Sequence, residues 1–199
     1  MSYKYSTGSV FRGDIYYEDD RVGEPTYIDF GMDTISLRPS GSAILNLSAS
    51  HVGVGVTTPV TMFDAHFNSM AMNNDTGGGW VVKFGSGTLT AGKLYYLHTD
   101  GTWTATDADA AATGGDQLLG IALGSAPGTH GVLLRGFFDA HTYLDTHTSG
   151  KAVYISLTAG QMTTTAPSAT GDIIRIIGYC TSQSKVIYFN PSSTFVELS

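Results

Sequence analysis

Apolar residues in this chain come in short runs cut by glycine, proline and polar turns, and two such runs close it. One lies between Gly171 and Ser182 and centres on Ile173, Ile174, Ile176 and Ile177; the other, between Lys185 and Leu198, is broken at Pro191. Runs this short and rich in Ile, Val, Tyr and Phe predict strands rather than helices. Upstream, Tyr27–Phe30, Thr34–Leu37 and Ala43–Leu47 predict three brief strands, parted by Gly31–Asp33 and Pro39–Gly41. Each presents only a few residues to an apolar face, too little to bury it alone. Val52, Val54 and Val56 then alternate with Gly53 and Gly55. Two readings fit this row: three copies approach closely around an axis with the valines packed between them, or the row is a glycine-rich edge strand of one chain. Val60–Phe67 extends or turns the same ladder.

A second β-rich section opens at Trp80–Phe84 and contains an imperfect repeat. Thr90, Gly92, Lys93 and Tyr96 match Thr148, Gly150, Lys151 and Tyr154, and Leu118–Ile121 matches Ile176–Tyr179, both at an offset of 58 residues. One offset shared by two motifs is a stronger signal than either match. Gly131–Phe138 lies between the copies as another strand, with Arg135 reaching solvent or a carboxylate. Two related β halves closing into a barrel or sandwich would satisfy edges that one half leaves open. Residues 102–113 and 161–170 are rich in Thr and Ala and read as surface crossings, the former with at most one helical turn at 108–112. The expected division is an N-terminal arm over 1–26, a short β region over 27–78 for trimerisation and attachment, and an exposed β domain with the repeat over 79–199.

Composition agrees with a mainly β chain: 25 of 199 residues are glycine. Lys and Arg number 10 against 17 acidic residues, a net charge of −7, which repels phosphate and argues against direct nucleic-acid binding. No apolar stretch approaches the length of a membrane span, and Met1–Gly8 has no signal-peptide core, so neither membrane insertion nor secretion is expected. The single cysteine, Cys180, forms no intrachain disulfide and reads as a small buried hydrophobe rather than a reactive or interface thiol.

Candidate chemistry is sparse. His141 and His147, with Asp139 and Asp145, have the residue types of a metal site, yet on one strand they would form only a polar stripe. Threefold symmetry, bringing three copies of one histidine together, is the main route to a metal. Asp14, Glu18, Asp19 and Asp20 lack the spacing of a calcium loop and read as a solvated acidic turn, as do Asp107 and Asp109. The remaining histidines, His51, His66, His98 and His130, form no motif. There is no nucleophile elbow, zinc-protease motif or phosphate loop. No catalytic, cofactor-binding or metal-ligating residue is assigned, no cofactor is implied, and the chain is not expected to be an enzyme.

Both sections resemble pieces of tail-fibre and related structural proteins of tailed bacteriophages. In the first, Tyr27–Leu37, Ala43–Ser48 and His51–Pro59 are similar to a fibre pattern with a Gly-Ile-Gly-Thr-Thr-x-Pro core; Val54–Thr58 replaces that core imperfectly, and the usual Lys-Leu-His-Val continuation is absent. In the second, the resemblance rests on Leu118–Gly124, Leu134–Phe137, Arg175–Tyr179, Ile187–Pro191 and Val196–Leu198. It implies a mainly β homotrimer: a short intertwined N-terminal β region followed by a barrel- or sandwich-like domain. At 199 residues a compact trimer fits a capsid cement or decoration protein better than a long fibre. The implied partner is the major capsid protein, bound through residues 1–60, with the particle assembled in the host cytoplasm and the chain on the capsid exterior. The alternative is a short tail fibre or tip that binds a host-surface receptor or glycan, stacking sugars on Trp80, Trp103, Tyr143 or Phe195.

Overall fold

The computed structural model describes the backbone of Ile15–Tyr16 and residues 27–39, 44–65 and 75–199. The rest of the expected arm, the acidic group Asp14, Glu18, Asp19 and Asp20, and His66 lie outside the described residues. The fold is mainly β, in two compact units, residues 1–68 and 69–199. Among the described residues no helix is long and apolar enough to cross a membrane.

The first unit is one six-stranded sheet in chain order: β1 Ile15–Tyr16, β2 Tyr27–Phe30, β3 Thr34–Arg38, β4 Leu45–Ser48, β5 His51–Val54 and β6 Phe63–Ala65. All neighbours are antiparallel except β5 and β6, which run parallel. The alternation of Val52, Val54 and Val56 does not continue through one strand, and β5 is not an edge. It ends at Val54, is paired on both sides, and gives way to Gly55 with φ 70°. Val56 then folds back over the strand, so that a Cβ on Gly53 would lie 2.6 Å from the Val56 carbonyl oxygen. Gly53 is required by this close approach.

The second unit holds β7 Gly77–Val82, β8 Leu94–Leu97, β9 Trp103–Ala105, β10 Leu119–Ala122, β11 Val132–Asp139, β12 Ala152–Ile155, β13 Met162–Thr163, β15 Ile176–Cys180 and β16 Val186–Phe189 in one nine-stranded sheet, curled into an open half-barrel. A separate pair joins β14 Ile173–Ile174 to β17 Val196–Glu197. The Ala-rich crossing carries a single 3₁₀ turn, Ala111–Thr113, and a one-turn helix α1 spans Pro127–His130.

Strand β11 organises the sheet. Leu133 pairs with both Val81 and Ile121, and Phe137 with both Gly78 and Tyr188, so β7 lines one edge while β10 and β16 take successive stretches of the other. Two arms fork from that shared edge: β10–β8–β9 and β16–β15–β12–β13. The 58-residue repeat lies within them at the level of individual hydrogen bonds. Gly92 and Gly150 donate to the carbonyls of Ala122 and Cys180, and Lys93 and Lys151 to those of Thr90 and Thr148. Both glycines have positive φ, 86° and 78°. The pair Gly120 with Tyr95 recurs as Gly178 with Val153.

The repeat exchanges faces on either side of a β-bulge in β15, where the register shifts and Ile177 stays in the main core like its counterpart Leu119. Leu94, Tyr96 and Ile121 lie in the main core, whereas their counterparts Ala152, Tyr154 and Tyr179 do not; Val153, Ile155 and Cys180 lie in the core, whereas Tyr95, Leu97 and Ala122 belong to a second cluster. The fork explains this exchange. Equivalent strands keep their lateral order but reverse direction, and in a sheet that combination turns the other face inward. The main core inside the curl is closed by Phe138, Phe189, Leu119, Leu133, Ile177 and Ile187, all fully buried.

Candidate assembly face

Alternation in the first unit produces two unlike faces. Cross-strand registers align Phe30, Ile35, Leu47, Val52 and Phe63 in one row, and Ile28, Leu37, Leu45, Val54 and Ala65 in the next. Both rows cross five strands on one face and contain no charge. The opposite face carries Asp29, Ser36, Asn46, Gly53 and Asp64 in register.

Burial is the reverse of what a free-standing sheet would prefer. The polar Ser36 and Asn46 are 4 % and 3 % exposed, whereas Ile35, Leu37 and Leu47 are each about 40 % exposed and Phe63 is 67 % exposed. The loop after β5 covers the polar row. Ser36 Oγ donates to Asn46 Oδ1 at 2.6 Å, Asn46 Nδ2 donates to the Thr57 carbonyl, and Arg38 Nε donates to Asp29 Oδ2 at 2.9 Å. Those groups are satisfied in place. Fully burying a Leu, Ile, Val or Phe side chain contributes about 1.5–3 kcal/mol, and the apolar rows have realised only part of it. A contiguous apolar surface of this kind marks an interaction site.

The other candidates are dispersed. His51 opens β5, His98 lies 3.0 Å from Asp100 on an exposed turn, and His130 Nδ1 accepts a hydrogen bond from Ala126 N–H. Hydrogen bonds from Thr102, then the neighbouring His98, hold the Asp100 carboxyl down to about 2. The segment 139–147 is not one strand: β11 ends at Asp139, which is buried, His141 is exposed on a turn, and Tyr143 packs against the core. Asp145 is partly desolvated, which raises its pKa, but hydrogen bonds from Thr163 Oγ1 and the Thr146 and Thr164 N–H groups outweigh that and lower it. Asp75 similarly accepts from Thr142 N and Oγ1, so these carboxylates pin turns. Among the described residues no three His, Cys, Asp or Glu side chains are placed to hold a metal ion.

Asp107 accepts weakly from Asp109 N–H at 3.4 Å, and burial pushes its carboxyl up. Cys180 is 4 % exposed, in the main core. Of the four aromatic residues considered for sugar stacking, Trp103 is buried and donates from Nε1 to the Phe84 carbonyl at 2.8 Å, and Tyr143 and Phe195 pack on the core. Trp80 alone of these stands well exposed, at 68 %. The apolar rows themselves were not singled out from sequence, although alternation about Ser36 and Asn46 is the signal that marks them.

No family model matches the chain, and neither the curated proteins nor the solved structures contain a significant match to it.

Proposed function

We propose that this chain is a structural protein of a tailed-bacteriophage virion, working as a homotrimer that decorates and stabilises the head. The observation that carries the proposal is the uncovered pair of apolar rows on the first unit, backed by a polar face that is already satisfied. Copies of the same face, lacking charge, bury one another without stranding an ion. Three such sheets about one axis remove both rows of every copy from water. The intertwining of these regions, and a barrel- or sandwich-like description of the second unit, belong to the same proposal; the core inside the curled sheet supports the latter.

On this reading the chain does no chemistry. The first unit supplies cohesion and attachment to major capsid subunits, the second is displayed, and the shell is strengthened by many simultaneous noncovalent contacts. Cryo-electron microscopy of the intact particle tests this placement. Threefold knobs between major capsid subunits, lost from particles lacking the chain, are the expected result; density confined to the tail would overturn it in favour of adsorption or tail assembly.

A further inference from the structure

The outer face of the half-barrel, opposite the main core, is covered by apolar side chains over one arm and only partly covered over the other, where Phe137 and Tyr188 are half-buried. Across the first arm, Phe84 stacks on Trp103 at 5.9 Å, and Leu89 closes a small cluster with Trp103, Tyr95, Ala122 and Val132. That cover stops at the cross-strand pair Trp80–Arg135. Beyond it, Gly78, Phe137, Tyr188 and Tyr179 stand in register over β7, β11, β16 and β15. Trp80 is 68 % and Tyr179 47 % exposed, and nothing lies within 4 Å of where a Gly78 Cβ would project.

Arg135 is held in place among these rings. Its Nε donates to Tyr188 Oη at 2.9 Å and its guanidinium lies 5.9 Å from the centre of that ring, which in turn sits 5.3 Å from Phe137. Arg135 forms no ion pair among the described residues, and its terminal nitrogens donate no hydrogen bond there. A guanidinium oriented in this way, with no ion-pair partner among the described residues, is complementary to a carboxylate, which its two terminal nitrogens can grip as a fork.

We infer that this face binds an acidic saccharide, with a pyranose ring stacked on Trp80, its carboxylate on Arg135, and further sugar units along Phe137, Tyr188 and Tyr179. The Phe137 and Tyr188 rings lie 5.3 Å apart at a 44° tilt, and Tyr179 follows on the next strand, about 4.8 Å on, in a row that begins at the open position of Gly78. Aromatic faces take the C–H face of a sugar while tyrosine hydroxyls and the guanidinium take its polar edge. A second copy of the chain is a poorer fit, because this face is fringed with polar heads where the apolar rows of the first unit are not. The inference concerns the second unit alone and stands whether the chain sits on the head or the tail.

Intrinsic fluorescence provides the test, since Trp103 is buried and Trp80 is the exposed tryptophan. The full chain is titrated with oligogalacturonate and with neutral maltohexaose, alongside an array of carboxylated, sulfated and neutral saccharides. The carboxylated class is expected to shield Trp80 from acrylamide and to bind at least tenfold more tightly than the neutral class. Trp80→Ala abolishes binding, and Arg135→Gln removes the preference for acid while the thermal midpoint is kept. Three results would overturn the inference: no saccharide class binding at millimolar concentration, binding unchanged in Arg135→Gln, or shielding of Trp80 that grows with protein concentration alone, which would assign the face to a second copy.

Discussion

Arg175 is 6 % exposed and has carbonyls, rather than a carboxylate, around its head. Nη1 donates to Gly114, Gly115 and Gln117 at 2.7–2.9 Å, and Nε to Ser192 at 2.8 Å, tying two loops together. Burial lowers its pKa, and the charge of Asp116 acts in the opposite sense. Arg175→Ala leaves these acceptors without their shared donor and is expected to cost about 3 kcal/mol in urea unfolding, with Arg175→Lys recovering only a fraction. Asp139 is the reverse case: 7 % exposed, with Oδ1 unpaired. Burial raises its carboxyl above 3.8, assisted by the charge of Asp75 and opposed by that of His141. A raised carboxyl pKa means stability lost as pH rises through the interval above 3.8 and not regained at neutrality. Asp139→Asn should therefore stabilise the fold by about 1 kcal/mol at pH 7 and by nothing near pH 3, read from paired melts. Neither role was legible in the sequence, because the Arg175 loop partners lie some sixty positions away and the burial of Asp139 depends on where β11 ends.

Among the elements, the paired glycines mark where strands crowd. A Cβ on Gly178 would overlap the Tyr188 carbonyl oxygen, whereas one on Gly78 meets nothing. Gly178→Ala is expected to cost about 2 kcal/mol or more, and Gly78→Ala to change stability by less than about 0.5 kcal/mol, in the same denaturant assay. The 58-residue offset was readable because turn glycines, lysines and strand-centre glycines carry the backbone signal in both copies. The exchange of faces was not. It depends on both arms leaving the same edge of β11, a long-range pairing that neither copy encodes locally, and it explains why Leu94 became Ala152 and Ile121 became Tyr179. Trp80 and Trp103 show the same limit: each sits in a β-rich run, and only the fold-back of Phe84 onto Trp103 separates a core ring from an exposed one.

For the whole molecule, the β strands of the first unit were legible from their short apolar runs, as was the insufficiency of each strand alone. What covers the resulting face was not, since one chain's alternation is the same whether its partner is its own loop or another copy. Here the loop after β5 chose the polar face. A charge in the apolar rows should then damage assembly more than folding: Leu37→Asp is expected to leave the second unit's melt in place while weakening self-association by a hundredfold or more, because each copy would bury an unpaired carboxylate. Sedimentation velocity of the chain and of Leu37→Asp at micromolar concentration tests this most directly. The account predicts a species of three times the 21.0 kDa chain that falls to one chain in the variant; a wild-type chain that sediments as a monomer at that concentration would contradict it.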